Sequence, residues 1–136
     1  YGLKDAPLLW YIRFQNALLD IGMKQSCHDP CDFYLPLNAE EAEKRKDEIN
    51  ATGEAVSLIM SLHVDDTLAT GELANLDWLE EKLIAEFTDV TSERNHFKHF
   101  GVDVYRHPTL FHVSACQKDY IAELYGDAIH GCDRRH

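Results

Sequence analysis

Val56-Ser57-Leu58-Ile59-Met60-Ser61-Leu62-His63-Val64-Asp65-Asp66-Thr67-Leu68-Ala69-Thr70-Gly71 is the stretch on which the reading of this chain turns. Residues 56–64 are a nearly continuous apolar run, which predicts a strand buried on both faces or nearly so. The run stops at Asp65-Asp66, and residues 67–70 resume as a second strand that Gly71 ends. Two strands hinged at two acids predict a hairpin with carboxylates at its tip. Adjacent ionised carboxylates repel each other and are costly to desolvate, so stability alone gives no reason to set them against a buried strand. A divalent cation resolves the conflict by neutralising both. Mg²⁺ suits such a place because it takes a few carboxylates plus phosphates and waters rather than a full protein cage. Two such ions clamp the attacking and leaving oxygens of a phosphoryl transfer. The dipeptide by itself reads more readily as an acidic surface turn.

Outward from this hairpin, residues 6–21 predict an amphipathic helix, capped by Asp5, with Pro7 in its first turn and Gly22 at its end. Leu8, Tyr11, Ile12, Leu18 and Leu19 predict its broad apolar face. Residues 31–37 predict a short strand. Residues 38–55 are charged and small, and predict a solvated insertion, either a surface helix or a loop. Leu76, Leu79, Leu83 and Phe87 recur at helical spacing and predict a second helix over 73–87. Residues 96–105 and 110–113 predict another strand pair, turned at His107-Pro108-Thr109, and residues 117–125 begin a last helix. Residues 126–136 predict an irregular tail.

The chain has 136 residues, 45% of them hydrophobic, enough for one domain with a real core and too little for two. No apolar run is long enough to span a bilayer. The N-terminus has no basic segment followed by an apolar stretch, so no signal peptide is read, and the start at Tyr1 instead of Met is expected of a cut or processed piece. An intracellular compartment, cytoplasmic or nuclear, follows as the expectation. Cys27, Cys31, Cys116 and Cys132 are then expected to be reduced thiols, and the sequon at Asn50-Ala51-Thr52 carries no meaning. Lys and Arg number 13 against 24 Asp and Glu, a net charge of −11. A free-standing nucleic-acid binder carries a basic surface. The acidic balance argues that this chain alone holds nucleic acid poorly and suits a site that gathers carboxylates around cations.

Several segments together resemble one family in order and approximate spacing. Tyr1-Gly2-Leu3-Lys4-Asp5-Ala6-Pro7 with Trp10-Tyr11, then Asp29-Pro30-Cys31, then His63-Val64-Asp65-Asp66, then Phe100-Gly101-Val102, then Val113-Ser114 with Gln117, Tyr120 and Ile121 are similar to motifs of copia-type retrotransposon reverse transcriptases. The resemblance covers residues 1–125. It implies the C-terminal part of a right-hand polymerase palm, an α+β fold with an antiparallel sheet and helices on one face. It implies RNA-directed DNA synthesis, in which a primer 3′-hydroxyl attacks the α-phosphate of a deoxynucleotide and pyrophosphate leaves. Asp65 and Asp66 would be the catalytic and metal-binding acids, holding Mg²⁺ or, in its place, Mn²⁺, weakly in the isolated chain. Gly2, Lys4 and Pro7 would line the nucleotide and template. His63, Val64, Phe100 and Gly101 would lie near the primer end. The implied partners are an RNA or DNA template-primer, the deoxynucleotide, and the N-terminal half of the polymerase; no membrane is implied.

Three departures from that pattern stand out. The family's other metal-binding aspartate and its fingers lie upstream of the opening motif, outside this chain. His63 stands where the family usually has Tyr, and Leu8 stands where an Arg usually follows Ala-Pro. They keep a second reading open: a catalytically dead relic or reused fragment, at most a binding or interaction module.

Other constellations are weaker. Cys27, His28 and Cys31, with His112 and Cys116, have spacing that a zinc site tolerates, but the resemblance already accounts for Cys31 as a small apolar residue. His96, His99, His107 and His112 fall around the second strand pair and read as surface histidines. His130, Cys132 and His136 lie in the tail. Ser114 and Cys116 have no Gly-rich elbow around them, and no phosphate-binding glycine loop is present.

Overall fold

The structure, a computed structural model, describes residues 4–47, 49, 56–64, 66–110 and 112–125. The chain forms two compact units, Tyr1–Val90 and Thr91–His136. The described part is α+β with antiparallel sheets.

The first unit opens with helix α1 (Ala6–Asp20), with Pro at its N-terminus, where a missing N–H costs nothing. Asp5 occupies the N-cap position, but its side chain makes no capping hydrogen bond, contrary to expectation. Its φ of −98° and ψ of 3° are not the extended backbone from which a cap side chain reaches the first turn. The C-terminus closes cleanly. The Gly22 N–H donates to the Leu19 carbonyl at 3.1 Å and the Met23 N–H to the Leu18 carbonyl at 3.1 Å. Gly22 takes φ +99°, which glycine adopts without a Cβ penalty, and Leu18 and Met23 are both buried beside this turn.

The buried side of α1 differs from the expected face. Phe14 and Leu18 are in the core, with Trp10, Tyr11, Ala17 and Ile21 packed against it. Leu8, Ile12 and Leu19 are exposed. Trp10, Phe14, Ala17 and Ile21 follow the helical repeat as closely as the aliphatic set does, and the aromatics bury more area per residue.

Strands β1 (Lys24–Gln25), β2 (Asp32–Pro36), β3 (Val56–His63) and β4 (Asp66–Gly71) form an antiparallel sheet in chain order. Phe33 pairs with Met60, and Leu58, Met60 and Leu62 alternate along β3 onto the same face. That face meets α1 and helix α3 (Leu73–Glu86), whose Leu79 joins the core, with Leu76, Leu83 and Phe87 beside it as their spacing predicts. Phe33, Leu18, Leu58 and Met60 are wholly buried, each worth roughly 1.5–3 kcal/mol against exposure. The opposite face is open beyond Ser57, which is itself buried: Ile59 is 45% exposed, and Ser61 and His63 are exposed. So β3 is buried on one face, not both, because the described elements cover only one side of its sheet.

Helix α2 (Ala39–Lys44) begins the charged segment. Asn38 accepts from the Glu41 N–H, and Glu41 reaches back to the Asn38 N–H, a reciprocal capping box. None of its residues is buried, so this part of the insertion is a solvated surface helix.

Gly71 ends β4 and pairs with Leu58 of β3. A Cβ there would stand 2.6 Å from the Ser57 carbonyl oxygen and 2.9 Å from Leu58 Cδ1. Backbone cannot yield cheaply, so Gly71→Ala is expected to cost about 1–3 kcal/mol. Urea unfolding checks this, and a variant as stable as the parent would show that the two strands are further apart.

The second unit holds strands β5 (His96–His99), β6 (Val102–Arg106) and β7 (Val113–Cys116), paired antiparallel in that order, and helix α4 (Lys118–Tyr125). The single strand expected over 96–105 is instead a hairpin. His99 pairs with Val102, and the two loop residues, Phe100 and Gly101, take φ +50° and +72°. Positive φ at both positions is the backbone that lets a two-residue loop follow strand twist. The last strand also starts later than expected, with Val113 paired to Arg106. Lys98 Nζ lies 2.5 Å from Asp119 Oδ2 and ties β5 to α4 at the surface.

Candidate functional site

The β3–β4 hairpin closes in two residues, since His63 pairs with Asp66. Asp66 is the first residue of β4 and is exposed. Residues directly opposite share a face, with Cβ atoms about 5 Å apart, so His63 and Asp66 stand side by side on the open face. Further along that face, Ser61 pairs with both Leu68 and Asp32. Asp65 lies outside the described residues, as does Gly2. Lys4 is exposed just before α1, and Pro7 is exposed in its first turn.

Val64, the first loop residue, has φ +46°. A β-branched residue rarely adopts this conformation. Holding it there costs on the order of 1–3 kcal/mol, and such strain is concentrated at sites of function. Its carbonyl accepts a hydrogen bond from Trp10 Nε1 at 2.8 Å. Pro7 lies three residues before Trp10, about 4.5 Å along the helix axis, so one helical turn separates it from the residue that reaches the loop. The Trp10 ring is held in turn by Phe14 and Phe87, with centroids at 5.8 Å and 5.4 Å, and those two rings stack at 5.1 Å. The Arg13 guanidinium caps Phe87 at 5.0 Å.

Tyr11, next in sequence, anchors a second turn. Its hydroxyl donates to the Pro30 carbonyl at 2.6 Å and accepts from Gln25 Nε2 at 3.0 Å. Asp29-Pro30-Cys31-Asp32 is a β-turn, with the Asp32 N–H on the Asp29 carbonyl and the Cys31 N–H on Asp29 Oδ1. The Leu62 N–H donates to the Cys31 carbonyl at 2.9 Å, so this turn abuts the end of β3. Burial, then the Cys31 and Asp29 charges, push the Tyr11 phenol up, with the Gln25 hydrogen bond opposing.

Burial pushes the Cys31 thiol up, helped by Asp29 and Asp32. Cys27 and Cys116 are exposed. Since the thiolate is the nucleophile, Cys31 is expected to be the slowest of these three to alkylate at mildly basic pH. A peptide-resolved iodoacetamide time course checks this, and labelling of Cys31 as fast as Cys27 would count against its shielding. Among the described residues, no three His, Cys, Asp or Glu side chains converge as a metal site, so the zinc set has no counterpart there. His107 and His112 do meet, with ring centroids at 5.1 Å. His107 Nδ1 accepts the Leu110 N–H at 3.0 Å, which gives that histidine a turn-closing role.

Phe100 and Gly101 form the tip of the β5–β6 hairpin in the second unit. The sequence marked Trp10 only as part of a motif, and Tyr11 as part of that motif and of an apolar helix face, and missed the hydrogen bonds that both make. The signal was available in kind: a half-buried Trp or Tyr in a helix needs a partner for its N–H or O–H.

The fold and site define a class: an antiparallel sheet backed by helices on one face, with a carboxylate at the mouth of a strained two-residue hairpin. Comparison with known proteins gives that class its relatives. The chain is 32% identical over 125 residues to the retrovirus-related Pol polyprotein from transposon RE1 of Arabidopsis thaliana, covering 91% of this chain and 7% of that polyprotein. It is 29% identical, over the same shares, to the retrovirus-related Pol polyprotein from transposon RE2 of Arabidopsis thaliana. The chain is thus similar to retrotransposon Pol polyproteins and spans about 7% of the length of these relatives. No family model matches it, and no solved structure matches it. Among the described residues, no helix is long and apolar enough to cross a membrane.

Proposed function

We propose that the chain is the C-terminal part of a reverse transcriptase palm, and that Asp65 and Asp66 are acids of its two-metal centre. The observation that carries this reading is the acid-tipped hairpin, with Asp66 at the open end of β4 beside a loop held at φ +46°. The similarity to transposon Pol polyproteins supports it. The donor chemistry fits Mg²⁺ or Mn²⁺: a solvent-reachable carboxylate is a hard oxygen ligand that leaves room for water and phosphate. Bound there, such ions would neutralise charge on the reacting phosphate and orient its oxygens. The chain's own residues supply the frame. The sheet and Trp10 hold the loop, His63 flanks the carboxylate across the strand pair, and the first turn of α1 with Lys4 before it offers a cation for phosphate.

The test is primer extension by this chain joined to the N-terminal half of a polymerase of the same type. Asp66→Asn is expected to lower incorporation on the order of 10³-fold or more, the scale of several kcal/mol of lost charge stabilisation. Equal activity in both proteins would sink the assignment.

The net charge of −11 favours a second reading, a non-catalytic relic or interaction module. The reading frame upstream of Tyr1 separates the two. An apolar strand carrying an aspartate fits the polymerase, and a stop or unrelated sequence fits the relic.

A further inference from the structure

We propose that Trp10 is a positioning residue for the hairpin loop, and that its indole N–H holds the Val64 carbonyl in the orientation that aims the Asp66 carboxylate. This rests on the functional reading above. The ladder between β3 and β4 ends at the His63–Asp66 pair, so the Val64 carbonyl lies beyond the strand pairing. Its bond comes from Trp10, 54 residues away in sequence. The donor is preset. Phe14 and Phe87 are buried, stack on each other and pack together against one side of the indole, which fixes the ring from that side and keeps the N–H aimed at the loop. A two-residue loop has few dihedrals, and Val64 already sits where a β-branched residue is disfavoured. Rotating the peptide that follows it changes the direction in which the next residues leave the turn. One fixed hydrogen bond to that peptide therefore controls the loop more than any contact made by the exposed Val64 side chain does.

The test compares the 136-residue chain with two variants. One replaces Trp10 by benzothienylalanine, which keeps the ring shape and lacks the N–H; the other is Asp66→Asn. Two NMR readouts are used. The three-bond HN–Hα coupling of Val64 reports its φ. Line broadening of the amides of residues 63–67 by added Mn²⁺ alone reports weak metal capture at the loop. The isostere is expected to move the Val64 coupling toward its extended value and to reduce the broadening roughly threefold to tenfold, the scale of one hydrogen bond. The amides of Phe33 and Met60 report whether the core is intact. An unchanged Val64 coupling overturns the proposal. A changed coupling with unchanged broadening overturns it too, provided that Asp66→Asn removes the broadening. If Asp66→Asn leaves the broadening intact, the metal assignment itself fails, a result distinct from the failure of Trp10's role. Trp10→Phe, which also lacks the N–H, is expected to follow the isostere; a Phe variant that behaves like the parent overturns the hydrogen bond as the cause.

Discussion

Purified as it stands, the chain is expected to give no primer extension on an RNA template with Mg²⁺ or Mn²⁺. Two-metal transfer depends on holding both ions and both reacting oxygens in line. The family resemblance puts another metal-holding aspartate, and the fingers that close on the nucleotide, upstream of Tyr1. The chain also spans about 7% of the Pol polyproteins it resembles. Its net charge of −11 works against capture of template and primer, whose phosphates need cationic partners. Each deficit alone lowers a rate by orders of magnitude. Extension that vanishes in Asp65→Asn or Asp66→Asn would overturn the expectation. It would mean that an acid within the chain replaces the upstream one.

The second large effect is on stability. Phe33 is wholly buried on the inner face of β2, opposite Met60. Phe33→Ala removes a core ring and leaves a void, at a cost of about 3–5 kcal/mol. A chain of this size is stable by about 5–15 kcal/mol in all, so the variant loses a large fraction of it. The control is Ile59→Ala, on the same sheet but on the open face and 45% exposed, where about 1 kcal/mol or less is expected. Urea midpoints measure both, with an unchanged slope showing that stability and not compactness has moved. Equal losses in the two variants would show that the outer face is covered as fully as the inner one.

The amino-acid order alone placed the β3–β4 hairpin, α1 and α3. The apolar run broken by two acids placed the hairpin, and the spacing of Leu76, Leu79, Leu83 and Phe87 placed α3 within a residue of its observed ends. Gly22 marked the end of α1, because only a residue free of a Cβ enters φ +99° without penalty. These are local signals, readable within a few residues of the chain. What stayed hidden depends on partners far away in sequence. A run such as 56–64 looks alike whether one or both of its faces are covered; α1 and α3 cover the inner one, and Ile59 remains open to solvent. Leu8, Ile12 and Leu19 are as apolar as Phe14 and Leu18, and only docking on the sheet chose which set is buried. The break at Phe100-Gly101 escaped notice because the loop's first residue is an aromatic, which in isolation favours a strand. The hydrogen bond from Trp10 to Val64 joins residues 54 apart. No local pattern encodes such a contact: it exists because the helix packs across the sheet and brings one rigid donor to the Val64 carbonyl.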